Sequence, residues 1–396
     1  MINLLQDYDV NNKVILLRVD FNVPIINGAI QDLTRVLRVI PTINYLVGSN
    51  AKTVIISHFG RPKGRNDSLS LQQVIESLSK LLNRQVSFVD DCIGDKVNTA
   101  IKLMMPGDVI LLENLRFYPE EELNDIDFAK KLSSVADIYV NDAFSCSHRN
   151  HASIAQVAKF LPAYVGFCLQ DEVNHLEEII SCKYKPTVAI VGGAKISTKI
   201  NLLLSLAQKV EFLILGGAIA NNFLLAQNFD IGKSLYEKDT ENISLEVMKV
   251  AAQNNCKIIL PQDILVAKDA NYKLGLVRGD LSSILDNDVI LDIGPKTLDE
   301  IRQILLSCKA VLWNGPLGAF EYPAFSNGTF QVAREIASLT QTKGIKSIVG
   351  GGDSLSAINA AGVNIEDFTY VSTGGGAFLQ YISGNEMPGL SSFICL

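Results

Sequence analysis

A chain of 396 residues, 48% hydrophobic and 19% charged, is longer than one ordinary core supports and points to two domains. Its formal net charge of -7 excludes a general nucleic-acid binder, so any anion site has to be a local gathering of arginine and lysine. No apolar run is long enough to span a bilayer and the first residues lack a basic, then apolar leader, so the expectation is a cytoplasmic protein away from membranes. Seven cysteines with no C-x-x-C pair read as reduced, mostly buried thiols, and His148 and His151 lie close together without the further ligands of a zinc site.

Along residues 1–165, β-rich runs at Val14 to Arg18, Thr53 to Ser57, Val86 to Val89, Val109 to Glu113 and Asp137 to Val140 alternate with helical patterns. Such alternation predicts βαβ units on a parallel sheet. The segments after these strands carry polar and charged groups: Asp20 and Asn22, then His58 and Arg61, then Arg116, then His148 and Arg149. Open α/β sheets bind ligands outside the carboxyl ends of their strands, and Arg35 can join the group from Asp32-Leu-Thr-Arg35. One arginine after a strand is usually a surface residue or a carboxylate partner. Repetition at matching positions instead suggests guanidinium groups around a phosphate, with Asp20 and Asn22 on a hydroxyl of the same small acid.

Residues 166–185 read as a helix stopped by Pro186, the expected connector to a second domain over residues 186–384. That domain opens with a strand, Thr187 to Val191, then Gly192-Gly193, then an expected helix carrying Lys195 and Lys199 on one face and Ile196, Ile200, Leu203 and Leu204 on another. Two cations beside a helix N-terminus suit phosphate chemistry. Further glycine runs follow apolar stretches at Gly216-Gly217, Asp292 to Lys296, Asn314 to Gly318, Gly350 to Ser354 and Ser372 to Gly376, and all five are expected on one edge of one sheet, a backbone surface fit for a nucleotide. Gly232-Lys233-Ser234 fails as a Walker A loop because Gln227 stands where glycine is required, and neither Gly350-x-Gly352 nor Gly374-x-Gly376 completes a G-x-G-x-x-G. Asp353 is a candidate Mg²⁺ ligand; a helix N-cap is its alternative reading.

The runs Arg18 to Pro24, Thr34-Arg35, Ser57 to Gly64, Leu112 to Pro119, Val140 to Phe144, His148-Arg149, Val191 to Lys195, Asp292 to Thr297, Trp313 to Pro316, Gly350 to Asp353 and Ser372 to Gly376 resemble the phosphoglycerate kinase family over essentially the whole length. The resemblance implies an α/β protein of two doubly wound, Rossmann-like parallel-sheet domains joined by a hinge helix, with 385–396 returning to the N-terminal domain. It implies reversible, Mg²⁺-dependent transfer of the acyl phosphate of 1,3-bisphosphoglycerate to ADP, giving 3-phosphoglycerate and ATP, by hinge closure in a monomer. Asp20, Asn22, Arg35, His58, Arg61, Arg116 and Arg149 would hold the acid. Gly192, Gly193, Lys195, Lys199, Gly216, Asn314, Glu321, Gly351, Gly352, Asp353 and Ser354 would hold the nucleotide, with Asp353 on the metal. Gly350, Thr373, Gly374 and Gly375 would form the turn at the transferring group, and Arg35 and Lys199 would act on it directly. Departures from the usual pattern are Phe378, Tyr370 and Gln380 near the Gly374 turn, Ser145-Cys146-Ser147 after the Val140 to Phe144 run, and Ala218-Ile219 beside the expected adenine pocket. An anion-binding protein without catalysis is the rival reading, weakened by the glycine-rich second surface.

Overall fold

Ile15, Leu16 and Leu17 are fully buried on both faces of the strand Val14–Arg18 (β1), around which the first sheet is built. In this computed structural model, which describes residues 3–26, 29–181, 183–267, 271–391 and 393, the chain divides into two units. The first is Met1–Asn174 with Glu386–Leu396, and the second is His175–Asn385. Cys182, Cys395 and the last three residues of the 385–396 segment lie outside the described residues.

After β1, the first unit runs through a short hairpin, Ile25–Ile26 (β2) and Ala29–Ile30 (β3), to helix Thr34–Gly48 (α1) and strand Lys52–Ile56 (β4). Helix Ile75–Leu82 (α2), strand Ser87–Val89 (β5), helix Asp95–Lys102 (α3), strand Val109–Leu112 (β6), helix Ile126–Ser133 (α4) and strands Ile138–Asn141 (β7) and Ala163–Val165 (β8) follow. Six strands pair in parallel in the order β5-β6-β4-β1-β7-β8. Val36, Val39, Ile43 and Leu46 repeat at helical spacing on α1 and bury against Ile15, Leu17 and Ile55. Each such side chain contributes about 1.5–3 kcal/mol on burial, so the register of α1 on the sheet, and with it the position of Arg35 in its first turn, is strongly set. Strand order reverses at β1, opening a crevice at the carboxyl ends of β1 and β7. Helix Phe167–Ile180 (α5) starts where Asp142 Oδ1 accepts from Leu169 N at 2.9 Å and Thr42 Oγ1 from Phe167 N at 3.0 Å. The boundary between the units falls inside α5.

The second unit contains strand Thr187–Val191 (β9), helix Ile200–Ala207 (α6), strand Phe212–Leu215 (β10), helices Gly217–Ala226 (α7) and Glu241–Gln253 (α8), and strand Lys257–Ile259 (β11). Strands Ile264–Ala267 (β12), Gly275–Arg278 (β13) and Ile290–Ile293 (β14) come next, then helix Pro295–Ser307 (α9) and strand Ala310–Asn314 (β15). Helix Asn327–Lys343 (α10), strand Lys346–Gly350 (β16), helix Gly352–Ala360 (α11), strand Tyr370–Ser372 (β17) and helix Gly376–Ile382 (α12) complete it, and the short helix Pro388–Ser391 (α13) belongs to the first unit. The parallel order is β11-β10-β9-β15-β16-β17, reversing between β9 and β15. Both sheets are six-stranded, parallel and helix-covered, the expected α/β class.

Three readings of the sequence are corrected here. The helix after Gly192-Gly193 does not begin at the glycines but at Ile200, after a single tight turn at Ser197–Lys199. Thr198 Oγ1 bonds back to Lys195 O, and the distant Glu237 takes Ser197 N, so these partners hold the segment out of the helix and Lys195 and Lys199 share no helical face. The Asp292 run lies on a separate three-stranded antiparallel sheet, order β13-β12-β14, leaving four glycine runs on the parallel edge rather than five. Asp353 stands within the first turn of α11, whose cap is Gly351, and its side chain makes no capping bond. Among the described residues no helix is long and apolar enough to cross a membrane.

Candidate active site

Asp20, two residues beyond β1, organises the polar cluster of the first unit. Its Oδ1 accepts Asn22 N at 3.0 Å, and its Oδ2 accepts Arg35 Nη1 at 2.9 Å and the Ser145 hydroxyl. Arg35 also donates to Asn22 O at 2.9 Å, and the Asn22 amide oxygen takes Gly60 N at 2.9 Å. The loops after β1, β4 and β7 and the first turn of α1 are thereby tied into one lattice. Arg116 donates to Gly60 O at 2.6 Å from the turn after β6. His58, 2% exposed, lies with Nδ1 3.3 Å from Arg18 Nη2 and Nε2 3.3 Å from Arg149 Nη1. Burial first, then the charges of Arg18, Arg116, Arg149 and Arg35, hold His58 well below the usual histidine range, so the ring is neutral at pH 7. Six of the seven expected residues converge; Arg61 is exposed and makes no hydrogen bond or ion pair among the described residues.

Arg18 and Ser145 are additions that the sequence reading did not assign to the site. Arg18 is 1% exposed and donates from Nε to Ser153 Oγ at 2.9 Å, and Ser153 in turn donates to the fully buried Glu121 at 2.6 Å. A buried charge survives only with such partners. Its signal was an arginine ending the apolar run Val-Ile-Leu-Leu; its partners, more than 100 residues away in sequence, gave none.

In the second unit the switch point between β9 and β15 carries the glycine turn. Gly192 N donates to Asn314 O at 3.0 Å, and a Cβ on Gly192 would stand 1.8 Å from Pro316 O. That contact is what demands glycine there. Gly192→Ala is therefore expected to cost about 2–3 kcal/mol by overpacking, read as a lowered urea midpoint, and to weaken nucleotide binding; an unchanged midpoint would show that the turn yields freely. Lys199 Nζ reaches back to Gly192 O at 2.6 Å, and burial lowers its pKa to about 8 although the Asp353 carboxylate pulls the other way. Lys195 is exposed. Gly216 caps α7, where a Cβ would meet Leu317 at 2.4 Å.

Two cavities flank this turn. One, of about 230 Å³, is lined by Gly193, Gly217, Ala218, Asp292, Leu317 and Glu321 among others, a mostly apolar slot whose carboxyl groups are those of Asp292, Glu321 and Asp353. Ala218 lines it, whereas Ile219 is fully buried elsewhere in the core. Asp292, pushed up to about 7 by burial, anchors the wall by accepting Gly328 N at 2.8 Å and Ile293 N at 2.9 Å. The second cavity, about 260 Å³, is lined by Lys199, Asn314, Gly351, Gly352, Asp353, Ser354 and Gly375 among others. Asp353 lines both. Ser354 Oγ accepts Gly315 N at 2.7 Å and donates to Gly350 O at 2.9 Å, closing β15 to α11. Asn314 donates to Gly350 O at 2.7 Å, and its buried Oδ1 has no hydrogen-bond partner among the described residues. Gly350 and Thr373 do not line either cavity, and Gly374 N is taken by Ser372 Oγ at 3.0 Å.

The departures have plain structural places. Phe378 is fully buried with its ring against Gly350, where a Cβ would come within 2.4 Å. Tyr370 stacks on His175 with centroids 4.5 Å apart, and Gln380 pairs with Asn385 at 2.5 Å on the surface.

A cluster of guanidinium groups on Asp20 and His58, and a glycine-lined pair of cavities holding a lysine and a carboxylate, on two α/β units, define a two-domain α/β phosphotransferase. The family profile described as phosphoglycerate kinase matches residues 5–385. A phosphoglycerate kinase of Wolbachia pipientis subsp. Culex pipiens (strain wPip) is 58% identical over 394 residues, covering 99% of both chains. One of Orientia tsutsugamushi (strain Ikeda) is 47% identical, covering 98% of this chain and 96% of its own. The solved structure of phosphoglycerate kinase from Coxiella burnetii superposes with a TM-score of 0.89 at 37% identity, covering 99% of each chain. The chain belongs to the phosphoglycerate kinase family.

Proposed function

We propose that this chain catalyses the reversible, Mg²⁺-dependent transfer of the acyl phosphate of 1,3-bisphosphoglycerate to ADP, the glycolytic step that yields 3-phosphoglycerate and ATP. The observation that carries the reading is the Asp20, Asn22 and Arg35 lattice with Arg116 and Arg149 beside it, in a member of this family. Asp20 and Asn22 take the substrate hydroxyl and carboxyl end, while His58, Arg61, Arg116 and Arg149 surround its phosphate. The nucleotide lays its base in the slot walled by Ala218 and Leu317 with Glu321 at the ribose, and its phosphates along Gly351, Gly352 and Ser354 at the start of α11, where free N–H groups favour anions.

A hard divalent cation fits this donor set: Asp353 is an exposed carboxylate lining the phosphate cavity, and the Asn314 oxygen, without a hydrogen-bond partner among the described residues, adds a neutral acceptor from another lining residue. Mg²⁺ held by Asp353 and phosphate oxygens would supply charge neutralisation of the polyphosphate. Lys199 and Arg35 hold positive charge ready for the transferring group, which needs alignment and charge stabilisation rather than a covalent intermediate. With the ligands on separate units, direct transfer requires those units to approach, and the approach strips away water that would hydrolyse an acyl phosphate. We place the reaction in a monomer in the cytoplasm, with residues 166–185 as the connector between domains 1–165 and 186–384.

The test is ATP-dependent phosphorylation of 3-phosphoglycerate with Mg²⁺, trapping the acyl phosphate with hydroxylamine. Turnover is expected with the native chain, and Asp353→Ala is expected to reduce it about 10²-fold, mostly by weakening metal-nucleotide use. Binding of both ligands without turnover in the native chain would overturn the proposal in favour of a non-catalytic binder.

A further inference from the structure

Two adjacent asparagines on α7 are used differently. Asn222 is fully committed: its Nδ2 donates to Ala218 O at 2.7 Å, and its Oδ1 accepts Glu237 N at 3.0 Å and the Thr240 hydroxyl at 2.8 Å. Asn221, 2% exposed, donates from Nδ2 to Leu235 O at 2.8 Å, and among the described residues its Oδ1 accepts no hydrogen bond. Gly217, Ala218 and Asn221 stand three and four residues apart, so they share one face of the helix, and all three line the apolar slot of the second unit. The orientation of the amide follows from its partner. A backbone carbonyl only accepts, so the branch beside Leu235 O is the NH2 and the oxygen is the branch left over. The segment that carries Leu235 is pinned in turn, because Lys233 N donates to Asp288 O and Ile290 N to Ser234 Oγ, each at 2.8 Å.

Other acceptors along the slot are taken or charged. The backbone oxygens of Gly193, Leu317 and Leu291 hold Ile219 N, Gly217 N and Ala319 N at 3.1, 2.8 and 2.7 Å. Asp292 holds Gly328 N and Ile293 N, and Glu321 and Asp353 are exposed carboxyl groups. The Asn221 oxygen is thus a neutral acceptor, set in a mostly apolar wall, that calls for a donor. A purine with an amino group at C6 brings that donor, whereas a 6-oxo purine turns a second acceptor towards it and leaves lone pair facing lone pair. We propose that Asn221 Oδ1 reads the 6-amino group of the base, so that this chain selects adenine nucleotides over the 6-oxo nucleotides of hypoxanthine and guanine. This rests on the placing of the base in the slot given above.

The test is calorimetric titration of the full chain with ADP and with IDP, which differ only at the 6-position and the adjoining N1–H, each with Mg²⁺. The native protein is expected to bind ADP about tenfold more tightly than IDP, the size of one hydrogen bond exchanged for an unpaired acceptor. Asn221→Leu, close in volume but without the acceptor, is expected to bring the two within about twofold, chiefly by weakening ADP, while the affinity for 3-phosphoglycerate stays unchanged and reports that the variant is folded. Asn221→Ala is read in the same way should the larger apolar side chain prevent folding. A loss of packing alone would weaken both nucleotides and leave their ratio at its native value. Equal affinities for ADP and IDP in the native protein, or a native ratio that survives in a folded variant, overturns the inference while leaving the nucleotide site standing. No binding of either nucleotide by the native protein overturns the site reading and the inference with it.

Discussion

Arg35→Ala is expected to lower kcat about 10³-fold, roughly 4 kcal/mol of transition-state stabilisation, while the dissociation constant for ADP stays within about twofold. The physical reason is how the side chain is held. Nη1 alone makes both contacts, to Asp20 Oδ2 and Asn22 O at 2.9 Å each, and among the described residues the other guanidinium nitrogens make no hydrogen bond. The side chain is 35% exposed, so those donors face open space at the acid site rather than core. A donor fixed in advance and unspent is what a developing phosphoryl charge needs. Arg35→Lys keeps the charge but loses the planar fork, and is expected to recover only part of the rate. Asp20 keeps its bonds from Asn22 N and Ser145, so the lattice persists in both variants. Steady-state kinetics with both substrates, beside nucleotide binding by fluorescence, separates the cases. Equal losses in turnover and in nucleotide affinity would remove Arg35 from its role.

Lys199→Met is expected to lower kcat about 10²-fold or more, and the native enzyme carries a pH signature of the same residue. Burial destabilises the ammonium, bringing Lys199 to about 8. Because the cation is the useful form, kcat/KM for the nucleotide is expected to hold below about pH 8 and to fall as pH rises through it. The bound polyphosphate favours the ammonium, so the fall in kcat is expected at higher pH than the fall in kcat/KM. A profile of kcat/KM flat to pH 9.5, or the same fall surviving in Lys199→Met, would assign the titration elsewhere.

Much of this molecule was legible in order along the chain. The strands near Val14, Thr53, Val109 and Thr187 lie within a residue or so of where β-branched runs bounded by turn residues put them, because such runs have few other ways to bury both faces. That Asp20, His58, Arg116 and Arg149 cluster was legible because a parallel sheet brings the carboxyl ends of its strands to one edge. The glycine at 192 was legible as a turn, though not as the point where Pro316 O would collide with any side chain.

What the tertiary structure decided was everything that depends on partners distant in sequence. Glu237, 40 residues on from Ser197, takes that residue's amide and so helps keep Ala194 to Ile196 out of the helix that local propensity favoured. Three strands pair antiparallel on their own and carry the Asp292 run with Gly294 away from the main sheet, a choice of partner that no pattern of period two contains. Arg18 could be recognised as more than a strand end only once Ser153 and Glu121 stood beside it, and His58 as a ring caught between two donors only once the end of β1 and the loop after β7 stood on either side of it. Periodicity and strand order follow from local chemistry and so are written in the chain; burial, desolvation and the facing of one charge by another belong to the packed whole.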